Sequence, residues 1–517
     1  MALCDRSVVA VELKQYQRGR RSCLPQLYPI SKAAQLWRRQ HVNTPTSQSN
    51  NKKCSKMSPP EKGTEKEQAV QMSLLEAGVA EGANDSLQNG NAPYNPHLHR
   101  QLVHPTTNKE TLIHLLKGSL GTGILAMPFA FHNAGLILGL FGTIFIGSLC
   151  TYCLHVLVRC QYKLCSQMKI PVLSYPMTLQ VALEQGPPFL RWAAPFASHL
   201  INFFLIVYQL GICCVYIVFV ASNIKEVIDV YVESSLDLRW YMLALLLPLI
   251  LLNYVRNLKL LAPFSTVANL LTFVGLGLVL YFVFAEGLPG LEDRKLVGSV
   301  QGIPLFIGTT LFALEAVGVI LALENNMKKP ASFGGYTGVF NQAMSIIVAL
   351  YAGVGACGYL KYGADVKGSI TLNLPNESVL AQAVKIMFSL AIFITYALQC
   401  YVPVDIIWNN YLKSKYEKHS KSLLIELGVR TMLVLTTFVL AVAVPRLELF
   451  ISLFGALCLS ALGLCFPALI EMCVEWRNSP GPFLYLKDLL IFIFSLVALV
   501  IGTSLSLKEI VHSFQEP

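Results

Sequence analysis

Thr111-Leu112-Ile113-His114-Leu115-Leu116-Lys117-Gly118-Ser119-Leu120-Gly121-Thr122-Gly123-Ile124-Leu125-Ala126-Met127-Pro128-Phe129-Ala130-Phe131 is apolar and of membrane length, yet it holds two ionisable groups and three backbone interruptions. A bilayer core of roughly 30 Å takes about 20 helical residues. Inside it no water satisfies broken backbone hydrogen bonds. Interruptions such as Gly121-Thr122-Gly123 and Pro128 therefore survive mainly where they line a buried cavity or a solute path. This segment predicts transport.

The rest of the chain agrees with a membrane solvent. Its 517 residues are 54% hydrophobic and 14% charged, with mean hydropathy +0.53, far from an ordinary soluble domain. Residues 1–107 differ, being rich in Asn, Ser, Gln, Lys and Pro without helical period. They read as a disordered cytoplasmic tail ahead of a transmembrane domain over 108–517. No apolar h-region opens the chain, so no signal peptide is expected.

About eleven spans are predicted, with cores at Thr111 to Phe131, Leu136 to Val158, Ala193 to Ala221, Trp240 to Val255, Leu261 to Ala285, Ile303 to Leu323, Thr337 to Leu360, Val379 to Val402, Leu427 to Val444, Leu449 to Met472 and Leu489 to Leu505. Loops after the even-numbered spans two to eight keep the basic residues: Arg159, Lys163, Lys169 and Arg191; Arg256 and Lys259; Lys328 and Lys329; Lys413, Lys415, Lys418 and Lys421. Basic loops stay cytoplasmic, which puts the amino terminus in the cytoplasm. The acidic loop with Glu226, Asp229, Glu233 and Asp237 then faces outside or a lumen.

The sequon Asn376-Glu377-Ser378 falls in a predicted outer loop, making Asn376 a candidate glycosylation site. Asn84-Asp85-Ser86 falls in the tail and is expected to stay unmodified. The net charge of +10 sits largely in the tail and inner loops, which suits an anionic leaflet rather than nucleic acid. Cysteines such as Cys150, Cys153, Cys213, Cys214, Cys458 and Cys465 fall inside spans, where they act as small apolar residues. Cys150 and Cys153 have metal-pair spacing without a second pair, so no metal site is expected.

On a helix, His114, Lys117, Gly118 and Gly121 share one stripe by their i, i+3, i+4, i+7 spacing. A charge at mid-membrane costs roughly 3 kcal/mol even on the lenient insertion scale, so this stripe is expected to face the bundle interior. His114 titrates near physiological pH and suits proton coupling. After Gly121-Thr122-Gly123 a new half-helix presents free amides with partial positive charge, which suits a carboxylate. Span six carries a second anomaly, Phe312-Ala313-Leu314-Glu315-Ala316-Val317-Gly318. If the fold is a five-plus-five inverted repeat, spans one and six correspond, and a site between them is expected. Glu315 could pair with Lys117, hold a substrate ammonium or carry a proton.

These residues carry a family resemblance. Leu112 through Leu125, Glu315-Ala316-Val317-Gly318-Val319, Leu323-Glu324-Asn325-Asn326-Met327-Lys328, Gly368-Ser369-Ile370-Thr371-Leu372-Asn373-Leu374-Pro375, Thr395-Tyr396-Ala397-Leu398-Gln399 and Tyr401-Val402-Pro403 resemble the proton-coupled amino acid transporters. That branch belongs to the amino acid/auxin permease family, and the likeness runs from about Asn108 to the carboxyl end. It implies an all-α polytopic protein of eleven spans in the fold of the bacterial leucine transporter, with helices 1 and 6 broken. It also implies uptake of small neutral amino acids with a proton, and a coupling role for the histidine that His114 matches. Members carry a disulfide between the outer loops after spans three and seven; here the loops around Asp229 and Glu377 offer no cysteine. Ala316 stands where many relatives have glycine, which bears on substrate size.

The mechanism expected is alternating access. The substrate carboxylate would sit on amides of Gly121, Thr122, Gly123 and Ile124, and its ammonium on carbonyls around Phe312 to Gly318. Phe312, Tyr208 and Tyr396 are candidates for limiting side-chain size. Protonation of His114 or Glu315 would bias the outward and inward states. No catalytic residue and no resident cofactor is expected beyond the co-transported proton. Alternatives are an uncoupled or sodium-coupled carrier, and an amino acid sensor signalling through partners at its tail. Leu74-Leu75 resembles a dileucine signal, with Val70 where an acid is usual, so plasma membrane and lysosomal or endosomal membranes are both open.

Overall fold

The computed structural model describes residues 94–100, 105–232, 236–256, 258–291, 294–314, 317–416, 419–478 and 481–515. The expectations for tail disorder over 1–93, for Leu74-Leu75 and for Asn84 lie outside them. So do those for Glu315 and Ala316.

The described chain is all-helical; its one β feature is an isolated bridge between Thr106 and Met327. In order come α1 (Asn108–Ser119), α2 (Thr122–Ala134), α3 (Leu136–Met168), α4 (Tyr175–Gln185), α5 (Ala194–Ile228), α6 (Leu238–Asn253) and α7 (Leu258–Ala285). Then follow α8 (Gly302–Ala313), α9 (Val317–Asn325), α10 (Val339–Tyr362), α11 (Val379–Asp405), α12 (Ser422–Ala443), α13 (Leu447–Phe454), α14 (Phe466–Glu475), α15 (Pro482–Val497) and α16 (Thr503–Ser513). A π-helical stretch, Gly455–Cys465, joins α13 to α14, and Tyr175 Oη donates to its Leu462 carbonyl at 2.5 Å. Among the described residues eight continuous helices are long and apolar enough to cross a membrane. To these are added the pair α1 and α2, bent by 55° at their break, and the shorter apolar helices α6 and α8. The protein is a multi-pass membrane protein, and the interruptions fall in the first and sixth predicted spans.

By internal contacts the described residues form two compact units, 105–164 with 174–515, and 94–100 with 165–173. In the smaller one, Asn95 Oδ1 accepts from His97 N at 3.1 Å and caps the short turn Pro96–His99. The rings of Tyr94 and His99 stack at 4.5 Å, and Ser166 Oγ donates to Tyr94 O at 2.8 Å. Burial, with Arg100 nearby, pushes the His97 imidazole down to about 4.

In the larger unit, buried charges are gathered in mixed clusters, as a low-dielectric interior requires. Glu426 and Arg430 of α12 are both buried, 3.1 Å apart, and Arg256 adds Nη2 at 2.7 Å from Glu426 Oε2. Arg430 Nη1 also donates to Asn253 O at 3.0 Å. Arg159 and Lys487 converge on buried Glu471 at 2.5 and 2.8 Å. At the opposite ends of the helices, buried Lys385 of α11 donates to Glu226 Oε2 at 2.5 Å and to Asn376 Oδ1. Lys367 reaches Glu226 Oε1 at 2.8 Å. An ionic clasp thus joins the end of span three to the segment after span seven, and the described cysteines are free thiols.

Candidate functional site

α1 starts on a capping box, with Thr107 accepting from Glu110 N and the Glu110 carboxylate accepting from Thr107 N at 2.8 Å. It stops at Ser119, where Leu120 and Gly121 turn extended. Gly121 then serves as the N-cap of α2 with no side-chain oxygen to accept from the first turn. The amides after it are therefore a donor set at the positive end of a half-helix. This is the geometry expected of Gly121, Thr122, Gly123 and Ile124, and all but Gly121 are buried.

The partner of this end is the carboxyl end of α8. A Cβ built on Gly123 would lie 2.6 Å from Ala313 Cα, so the two backbones touch where both half-helices terminate. α8 ends at Ala313 with Leu314 as its cap, whose amide donates to Thr310 O at 3.0 Å. A positive helix end thus adjoins a negative one. Thr309 and Thr310, in the last turn of α8, are buried with hydroxyls that have no hydrogen-bond partner among the described residues. Phe312 meets Tyr208 edge-on at 6.1 Å between ring centroids, so these two candidates come together beside the break.

The other candidates stand apart. Tyr396 is buried in α11, but its hydroxyl is engaged by Thr437 Oγ1 of α12 at 2.7 Å. The most buried line of α1 is Thr111, Leu115 and Ser119; His114 and Lys117 are half-buried and Gly118 is exposed. The interior line is thus offset from the expected stripe, because Thr111, Leu115 and Ser119 are the α1 residues that the packed core covers. His114 precedes Ser119, the last residue of α1, by five residues, about 7.5 Å along the axis at 1.5 Å per residue. Gly318, on α9, is exposed. Asn376, the expected glycan-bearing residue, is exposed, with its Oδ1 accepting from Lys385 and its carbonyl from Gln382.

Three features of the site carry no mark in the sequence. Tyr351 of α10, fully buried, donates its hydroxyl to Ser119 O at the end of α1. Tyr216 of α5 puts its hydroxyl 4.0 Å from the Cβ position of Gly121. Thr106 bridges the far end of α9: its amide donates to Asn326 O at 2.8 Å and its carbonyl accepts from Lys328 N at 2.9 Å. That bridge joins the outlying halves of both interrupted spans, α1 and α9, at the end opposite the break.

The family described as transmembrane amino acid transporter protein matches residues 104–508. The Drosophila melanogaster proton-coupled amino acid transporter-like protein pathetic is 43% identical over 423 residues, 81% of this chain and 89% of that protein. The Caenorhabditis elegans probable amino acid transporter skat-1 is 24% identical over 456 residues, 85% of this chain and 98% of that protein. Among solved structures, Mhp1, a nucleobase-cation-symport-1 family transporter, aligns over 82% of this chain and 94% of its own at 12% identity, with TM-scores of 0.43 closed and 0.44 inward-facing. This chain is an amino acid transporter and not an enzyme, and it belongs to the amino acid/auxin permease family, in the branch of the proton-coupled amino acid transporters.

Proposed function

We propose that this transporter carries small neutral amino acids together with a proton by alternating access. The observation that carries the reading is the meeting of the uncapped amino end of α2 with the carboxyl end of α8 at Gly123 and Ala313. A zwitterion needs a donor set for its carboxylate and an acceptor set for its ammonium, and opposed half-helix ends supply both without a buried charge. Phe312 and Tyr208 beside the break favour a small side chain. His114 is the proton carrier in this reading. Lying more than one turn before the end of α1, it acts through the inclination of α1 rather than by touching the substrate.

The amino terminus is assigned to the cytoplasm from the basic loops, and the membrane to the cell surface or a lysosomal or endosomal compartment. Asn376 is the proposed glycan site. The test is uptake into proteoliposomes, with glycine, alanine, proline and larger amino acids in competition, with and without an inward proton gradient. Flux that ignores the gradient sinks the coupling and leaves an uncoupled or sodium-coupled carrier. His114→Ala is expected to abolish proton-driven accumulation while keeping the fold.

A sensor reading is retained because Thr106 ties the chain leading from the tail to the end of α9. Deleting residues 1–93 separates the readings: unchanged uptake with lost signalling supports a combined role, whereas no uptake in either form favours the sensor.

A further inference from the structure

The carbonyl of Ser119 belongs to the set that every helix leaves without an internal partner, and it lies at the break in a membrane span. Ser119 is buried, so its carbonyl needs a partner there. The preceding turn closes normally, with Leu120 N donating to Leu116 O at 3.0 Å. Ser119 O is taken instead by the Tyr351 hydroxyl, from a residue with 0% exposure on a different helix. That helix, α10, also grips α2: Cβ atoms built on Gly355 and Gly358 would strike Phe131 at 2.5 Å and Pro128 at 2.4 Å. α10 therefore backs one half-helix and holds the last carbonyl of the other.

From this geometry we propose that Tyr351 is a positioning residue for the carboxylate site. Its hydroxyl fixes the Ser119 peptide, and two residues later the chain must present Gly121 and the amides of Thr122, Gly123 and Ile124. Without that bond the ring still fills its place, but the linker between the half-helices is free to rotate. The amides then lose their common aim. Recognition of the carboxylate suffers more than translocation does, because the α2–α8 contact and the α10–α2 packing are untouched. The inference rests on the carboxylate assignment proposed above.

The test is Tyr351→Phe in proteoliposomes, read with alanine as substrate and ethylamine, its decarboxylated counterpart, as competitor. KM for alanine is expected to rise about tenfold, the scale of one buried hydrogen bond, with Vmax changing far less and the preference for alanine over ethylamine falling in parallel. A KM equal to wild type overturns the proposal. So does a fall in Vmax and melting temperature with the alanine preference intact, since that is the mark of a packing role. Should the Phe variant not be recovered, Tyr351→Gln keeps a donor and removes the ring: preference retained at a lowered melting temperature supports the proposal, and preference lost overturns it. Wild-type protein that accepts ethylamine as readily as alanine would refute the carboxylate assignment itself, a failure separate from that of Tyr351.

Discussion

Gly123 lies against Ala313 with no room for a methyl group between them: a Cβ on the glycine would stand 2.6 Å from the alanine Cα and 3.2 Å from its Cβ. Gly121, two residues earlier, has among the described residues only the Tyr216 hydroxyl within reach, at 4.0 Å, and its backbone is extended in a way open to any residue. The two glycines should therefore respond differently. Gly123→Ala must push α2 from α8, an overpacking strain of about 1–3 kcal/mol, and uptake per molecule is expected to fall at least tenfold. Gly121→Ala should keep most of it. Initial uptake rates normalised to the protein in the membrane check both, and a Gly123→Ala protein working at full rate would mean the contact opens during transport.

The Thr106 bridge has two main-chain bonds and one weaker bond from the hydroxyl to Asn326 O at 3.3 Å, so its side chain and its amide can be tested separately. Thr106→Ala keeps both ladder bonds, whereas Thr106→Pro deletes the amide that donates to Asn326 O. The expectation is near-normal transport for Ala. For Pro, α1 and α9 should part, and labelling of a cysteine placed at exposed Gly118 should speed up severalfold. Equal labelling in the two variants would show that the bridge restrains nothing.

Much of this was legible in the sequence because the bilayer is a demanding solvent. It forces apolar runs of one length, and it makes Gly121-Thr122-Gly123 conspicuous. Span nine shows where that logic stops. Its helix begins at Ser422 rather than near Leu427, since Glu426, which hydropathy leaves in the loop, enters the core paired with Arg430. Tyr351 and Tyr216 were illegible for another reason: a tyrosine in an apolar helix gives no sign of which carbonyl or glycine it will meet, and Ser119 is 232 residues away from Tyr351. The two ladder bonds at Thr106 are made by backbone atoms, which no residue type advertises.

Glu426 should be costly to alter. Its carboxylate serves both Arg430 and Arg256, and Glu426→Gln removes the anion paired with the buried Arg430 guanidinium, leaving at best a neutral amide oxygen to accept from it. Removing one partner of a buried pair costs about 3–5 kcal/mol. A clear drop in melting temperature in detergent is expected. A double change, Glu426→Leu with Arg430→Met, should recover much of it.

His97 gives a prediction in pH. Burial, then Arg100, lowers its imidazole to about 4 from an ordinary value near 6.5. Between those values the unfolded segment binds a proton that the docked one refuses, so docking weakens as pH falls from about 6.5 to 4 and changes little below. Limited proteolysis near residues 94–100 should accelerate over that window in wild type and stay flat in His97→Asn. An identical pH response in both would assign the effect elsewhere.

The clasp of Glu226 with Lys385 and Lys367 ties two distant parts of the chain by charge alone. A disulfide ties a transporter to oxidising surroundings and to the enzymes that form it. A carboxylate shared by two ammonium groups asks for neither, so reduction does not cut the tie between the third span and the segment after the seventh. Dithiothreitol should leave its transport unchanged, and Glu226→Gln should not.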